Sequence, residues 1–145
     1  MKTTSRPFTL IELMIVAIIV AILAAVAVSL MRGNTTRAMA TEAEAAMGMI
    51  RTALRANYAE TSKYDTLPGG TALANDCSNL PGVKFGLSTD PKDGDLDGRY
   101  WKERDFTLTT SPSTYTIQAK GNGADVPTTV IITLDDAGVF KRSGL

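Results

Sequence analysis

The sequence has no histidine and a single cysteine, Cys77, among its 145 residues. Without histidine it lacks the side chain that most often serves as a general base or a metal ligand near neutral pH. One cysteine cannot form a disulfide within the chain, and Cys77 has no basic neighbours in sequence that would lower its thiol pKa. We therefore interpret Cys77 as a small apolar loop residue. No serine stands in a nucleophile motif, so we predict that the protein is not an enzyme.

The chain also lacks an excess of either charge, since Lys plus Arg and Asp plus Glu each number 15. Without a basic surplus to neutralise phosphates, nucleic acid is excluded as the expected primary partner. The chain length allows one domain, and enough residues remain outside the apolar N-terminal part to form a modest core.

What the sequence does have is a long apolar run, residues 8–31, which reads FTLIELMIVAIIVAILAAVAVSLM. At helical rise this run is long enough to cross a bilayer core of about 30 Å. Glu12 is its one charge, and a carboxylate in such a segment needs a partner because its desolvation is costly. The Ala25-Val26-Ala27 tripeptide would also fit the cleavage site of a secretory signal peptide, but Glu12 and the length of the run argue against that interpretation.

Residues 7–13, PFTLIEL, follow a short basic leader and open the apolar run. This segment resembles the start of type IV prepilins and of type II secretion pseudopilins. The resemblance implies that a prepilin peptidase removes the leader, residues 1–7, by cutting between Pro7 and Phe8, and that the new Phe8 amine is N-methylated. In that family the cut follows glycine. Proline lacks the amide hydrogen and has a fixed φ, so we expect Pro7 to fit a subsite shaped for glycine poorly.

The same resemblance implies a structural role for the apolar helix. Subunits would reside in the bacterial inner membrane, meet an inner-membrane assembly platform and stack through residues 8–31 into a homo-oligomeric helical filament. The Glu12 carboxylate would pair with the Phe8 amine of a neighbouring subunit, which sets axial register more than it adds stability. Another interpretation of Glu12 is that it lies in the first helical turn and is favoured there by the helix dipole.

Three functions stay open at this point. The first is a structural subunit of an extracellular type IV pilus or pilus-like filament. The second is a pseudopilin of a periplasm-spanning secretion pseudopilus with a calcium-binding head. The third is a membrane-anchored or secreted periplasmic binding module that does not polymerise.

The remaining sequence predicts an α+β fold, in which a long N-terminal helix packs against a small C-terminal antiparallel sheet of three or four strands. Residues 32–60 favour an amphipathic continuation of the membrane helix. Gly33-Asn34 is the strong helix breaker near the membrane boundary, so we expect any bend or local melting on assembly to occur toward Gly33. Residues 105–145 are predicted to form the sheet, because residues 105–109, 114–119 and 128–134 alternate apolar with polar, as strands covered on one face do. Val139-Phe140 is expected to add a short last strand, and residues 32–145 are predicted to form one head. The apolar stripe of the helix comprises Met39, Ala43, Ala46, Met47, Ile50, Leu54 and Tyr58, and its polar back comprises Glu42, Glu44, Arg51 and Arg55.

Residues 61–104 are rich in turn formers and lack periodicity, which predicts a variable loop region. Within it Asp93, Asp95 and Asp97 match the first half of a calcium loop, in which alternate oxygens point at one centre. The second half fails, because Arg104 stands where a bidentate glutamate is required. We favour an acidic solvated turn and keep a calcium site as the alternative. The aromatic pair that follows, Tyr100 and Trp101, is interpreted as packing residues.

Overall fold

The computed structural model of the protein describes residues 8–84 and 94–144. Within those residues the chain forms one α-helix, a 3₁₀ turn at Glu103–Asp105 and four β-strands. The helix α1 spans Leu10–Thr61, and the strands are β1 Phe106–Thr110, β2 Tyr115–Lys120, β3 Ile131–Asp135 and β4 Phe140–Ser143. The predicted α+β fold is confirmed: one long helix packs against a four-stranded antiparallel sheet in the order β1-β2-β3-β4.

The helix α1 continues for 52 residues, and Gly33 and Asn34 lie inside it. A bend or local melting at Gly33 on assembly stays a prediction, while in the described subunit the helix continues through this pair as expected. The physical reason is that one glycine costs only about 1 kcal/mol relative to alanine, while the alanine-rich sequence that follows has high helix propensity. By its internal contacts the chain divides into two compact units, one ending at Arg37 and the other beginning at Ala38.

The hydrophobic core belongs to the unit that begins at Ala38, since every described buried apolar side chain lies at or after Ala40. On α1 the predicted stripe supplies Ala43, Ala46, Met47, Ile50 and Leu54, all buried, and Met39 packs partly buried against them. Tyr58, predicted on the same stripe, is instead 39% exposed and stacks on Tyr64. The sheet supplies the residues that alternate inward, namely Phe106, Leu108, Tyr115, Ile117, Ala119, Ile132 and Leu134. Because cross-strand neighbours such as Leu108, Ile117 and Leu134 lie opposite one another, these residues form one continuous apolar face.

The loop region between α1 and the sheet also contributes to this core, through Leu67, Leu73, Cys77, Leu80, Leu96 and Trp101. Burial raises the pKa of the Cys77 thiol to about 12. Cys77 and Trp101 are fully buried, which confirms that both are packing residues. A loop that carries this many buried side chains has a defined path over the helix, and that path positions the candidate sites below.

Candidate functional site

The apolar segment 8–31 is uncovered within the described part of the chain. Each of its described large apolar side chains, from Phe8 to Met31, is more than half exposed. It belongs to a helix that is long and apolar enough to cross a membrane, and none of its most apolar window is buried against the protein. Since exposing this much apolar surface to water is unfavourable, the segment is compatible with membrane anchoring.

Thr9 and Glu12 form a reciprocal capping box at the beginning of α1. The backbone N–H and the hydroxyl of Thr9 both donate to Glu12 Oε2, each at 2.8 Å. The backbone N–H of Glu12 donates in return to Thr9 Oγ1 at 3.3 Å. This exchange satisfies amides that have no partner inside the helix. Among the described residues, nothing donates a hydrogen bond to Glu12 Oε1, so that oxygen is left for another partner.

Of the residues predicted to act in assembly, Phe8 and Glu12 lie four positions apart at this end of the helix, and Pro7 lies outside the described residues. Thr9 was not predicted. A local signal for it was present, since Thr9-Leu10-Ile11-Glu12 is the Ser/Thr-x-x-Glu pattern of a capping box. The structure therefore gives Glu12 a partner within its own chain, and its pairing with the Phe8 amine of another copy stays a prediction.

The aspartates of the calcium prediction bind the backbone of their own loop. Asp95 Oδ2 accepts a hydrogen bond from the Lys84 N–H at 2.9 Å, and the Asp95 N–H donates to the Lys84 carbonyl at 2.8 Å. Asp97 Oδ1 accepts from the Glu103 N–H at 3.0 Å. Asp93 lies outside the described residues. In the described ranges, no three His, Cys, Asp or Glu side chains come together as metal ligands would, and calcium binding stays a prediction.

Glu42 connects α1 to the loop that follows these aspartates. Its Oε1 accepts hydrogen bonds from the backbone N–H groups of Tyr100 at 2.8 Å and Trp101 at 2.9 Å. The Trp101 indole N–H donates to the Met39 carbonyl at 2.8 Å. Gly98 lies so close to the Glu42 carboxylate that any side chain there would collide with it. Glu42, assigned by pattern to the polar back of the helix, is instead a structural acceptor.

A groove of about 510 Å³ lies between α1 and the loop, and we call it the helix-loop groove. Its lining residues are Ala45, Gly48, Met49, Thr52, Ala53, Ala56, Pro81, Gly82, Val83 and Asp95. Most of these side chains are small or apolar, and the one carboxylate, Asp95, already accepts an amide hydrogen bond. The lining offers no nucleophile paired with a base, so the groove is suited to binding an apolar group.

Comparisons of the chain with known protein families, with curated proteins and with solved structures found no match.

Proposed function

We propose that the protein is a structural subunit of a type IV pilus or pilus-like filament that assembles through residues 8–31. One observation carries the proposal: an apolar helix segment that is long enough to span a membrane, and whose described large side chains are all more than half exposed, has its single carboxylate in its first turn. The bilayer covers this surface before assembly. Other copies cover it when the subunit has left the membrane, and the small side chains of the segment allow close helix packing.

In this proposal a prepilin peptidase cuts after Pro7, the Phe8 amine is methylated, and an inner-membrane assembly platform moves the subunit into the filament. Glu12 Oε2 keeps its hydrogen bonds to Thr9, and Glu12 Oε1 faces the Phe8 amine of the next copy. A matched pair of charges is tolerated in the apolar filament core, whereas an unmatched charge is not. Each new subunit therefore fits at one axial position.

Replacing Glu12 tests the proposal in cells that carry the assembly machinery. We expect Glu12→Ala to leave membrane insertion unchanged and to lower the filament yield at least about tenfold, the effect of one lost charge pair of this kind. Glu60→Ala removes an exposed acid from the other end of the same helix and should assemble normally. Normal filaments from Glu12→Ala would refute the proposed role.

Thr9→Val separates the two roles of Glu12. Valine keeps the shape of threonine and the backbone N–H that donates to Glu12 Oε2, but it lacks the hydroxyl that donates to Glu12 and accepts from the Glu12 N–H. If Glu12 acts between copies, Thr9→Val should reduce filament yield much less than Glu12→Ala does. Equal losses in the two variants would reduce the role of Glu12 to capping its own helix.

The helix-loop groove favours a second candidate function, a membrane-anchored or secreted periplasmic binding module that does not polymerise. N-terminal sequencing of the mature chain distinguishes the candidates. A chain that begins at Phe8 supports the filament, one that begins at Val28 supports a secreted module, and one that begins at Met1 supports an uncleaved anchor. A rise in melting temperature with millimolar calcium would favour the pseudopilin form of the filament.

A further inference from the structure

We propose that the helix-loop groove receives the hairpin tip of a second copy of this chain. The hairpin tip comprises the β3–β4 connection, residues 136–139, and the first residue of β4, Phe140, so it carries the apolar side chains Val139 and Phe140. The contact joins two heads, so it goes beyond the helix stacking of the proposed function. It rests on that function only for its place in a filament, since the contact itself is expected between concentrated heads without assembly.

Exposed apolar side chains single out these two surfaces. Within the described residues of the compact unit that begins at Ala38, the large apolar side chains left exposed are Met49, Tyr58, Val139 and Phe140. Met49, 43% exposed, lines the groove, and Val139, 51% exposed, stands on the hairpin tip. One head thus carries both a concave apolar surface and a protruding one.

Hydrogen bonds within the turn hold the backbone of the hairpin tip before any contact is made. The Val139 N–H donates to Asp135 Oδ1 at 2.8 Å, and the Gly138 N–H donates to the Asp135 carbonyl at 3.0 Å. Phe140 is fixed by its pairing with Leu134 across β3 and β4. Because the tip is already ordered, little conformational entropy is lost when it docks.

The charges beside the two surfaces are complementary. The hairpin tip is flanked by exposed Asp136 and exposed Lys141, exposed Asp95 lines the groove, and exposed Lys84 directly follows the lining residue Val83. Lys84 and Asp95 are held next to each other by one backbone–backbone hydrogen bond and by one from the Lys84 N–H to the Asp95 carboxylate. A docked tip can therefore place Lys141 toward Asp95 and Asp136 toward Lys84. Such rim pairs orient a partner and speed its association more than they add affinity.

The hairpin tip and the groove lie on different sides of the same head. Gly138 packs against the Arg51 guanidinium, where a larger side chain would collide. At about 100° per residue, Arg51 lies roughly 130° around α1 from the centre of the groove-lining residues. A tip-to-groove contact therefore joins different copies, and each pair still has one free tip and one free groove. Such a heterologous contact extends along a filament, where a two-fold contact would close into a dimer.

Disulfide crosslinking between differently tagged full-length chains tests the contact. One chain carries Thr52→Cys in the groove and the other carries Val139→Cys on the hairpin tip. The native Cys77 stays silent because it is fully buried. We expect oxidation to give a heterodimer, and we expect none when Thr107→Cys, exposed on the outer face of β1, replaces Val139→Cys.

Charge exchange at the rim tests the orientation of the docked tip. Lys84→Glu and Asp136→Lys each place like charges together, so each alone should lower the crosslinking yield roughly tenfold. Combining the two variants on opposite chains restores an attractive pair and should restore the yield. If the combination does not recover the yield, the proposed orientation is wrong.

Crosslinking is measured both in filaments and with the purified chain concentrated in detergent, where heads can meet without assembly. Loss of filaments alone counts against the proposed function, while absence of the heterodimer in detergent overturns the tip-to-groove contact. A crosslink from Thr52→Cys to Ala21→Cys in its place would assign the groove to the apolar helix of another copy. Protection of Thr52→Cys from alkylation in the monomer would assign it to the chain's own residues 85–93. Either result also overturns the inference.

Discussion

Glu42 shows how one side chain holds the loop against the helix. Its Oε1 accepts two backbone N–H groups, from Tyr100 and Trp101, and its carboxylate fills the space beside Gly98. Removing the carboxylate leaves both amides without an acceptor in a half-buried place. A hydrogen bond to a charged group contributes about 1.5–3 kcal/mol, and an unsatisfied buried donor costs a similar amount.

We therefore expect Glu42→Ala to lower the free energy of unfolding by about 2–3 kcal/mol. Glu42→Gln keeps an acceptor oxygen and should cost only about 1 kcal/mol. Urea unfolding followed by the fluorescence of Trp101, the one tryptophan, measures both values. Glu44→Gln serves as the control, because Glu44 pairs with the exposed Arg142 and not with the loop backbone. Equal losses for the Ala and Gln variants would mean that the hydrogen bonds are not what Glu42 contributes.

Cys77 makes stability depend on pH in the alkaline range. Burial raises the pKa of its thiol from the ordinary value of 9.0 to about 12 in the folded chain. Below pH 9 the thiol is protonated in both states, and its contribution to stability is complete. Between pH 9 and pH 12 only the unfolded state releases the proton, so the free energy of unfolding falls as pH rises.

The measurement is the difference in unfolding free energy between the native chain and Cys77→Ala across this pH window. The difference removes the contribution of lysines and tyrosines, which titrate in both proteins. We expect the native chain to lose stability faster than the variant above pH 9, and its thiol to resist alkylation until it unfolds. A pH-independent difference would show that the thiol is not desolvated in the folded state.

Among the secondary-structure elements, those with a regular apolar period were predictable from the sequence. The three-and-four spacing in residues 39–58 located the buried face of α1, and strict alternation located β1, β2 and β3 to within a few residues. The last strand was expected only over Val139–Phe140 and instead spans Phe140–Ser143. Its four residues are all exposed, so no apolar alternation marked them.

Long-range polar contacts at the candidate sites were not predictable from the sequence. Glu42 meets amides 58 and 59 residues away, Arg51 donates to the Tyr115 hydroxyl 64 residues away, and Arg142 pairs with Glu44. A periodic pattern shows which face of a helix is polar, but it does not show which polar side chain meets a distant backbone. The capping box at Thr9 is the opposite case, since its sequence signature is local.

Gly48 and Gly121 should respond in opposite directions when each is replaced by alanine, because the space beside their backbones differs. Gly48 lies in α1 with open space where a Cβ would be, so Gly48→Ala should raise the free energy of unfolding by about 1 kcal/mol. Gly121 lies after β2, where a Cβ would collide with the Pro127 carbonyl, so Gly121→Ala should lower it by about 1–3 kcal/mol.

Thermal unfolding of Gly48→Ala, Gly121→Ala and the native chain shows in one experiment whether each variant gains or loses stability. Gly33→Ala, which also meets open space in the helix but lies before Ala38, should leave the unfolding of the head unchanged. Destabilisation by Gly48→Ala would show that the helix surface at this position is already covered.

For the molecule as a whole, the division between Arg37 and Ala38 separates a unit with a buried core from one whose apolar side chains are exposed. Residues 38–144 bury a shared core of helix, loop and sheet side chains. The described residues before this division bury no large apolar side chain, and their exposed apolar surface is compatible with membrane anchoring. Folding of the head and insertion of the apolar helix are therefore separable properties of one chain.

This separation predicts that a fragment beginning at Ala38 folds alone. It keeps every described buried apolar residue and loses the exposed apolar segment, so we expect a soluble, folded head that unfolds cooperatively. Size exclusion and circular dichroism measure this, and the full-length chain should instead partition into detergent. A fragment beginning at Ala53 lacks Met47 and Ile50, each worth about 2–5 kcal/mol in a core, and should not fold. If the Ala38 fragment also fails to fold, the apolar helix contributes to the stability of the head and the two properties are not separable.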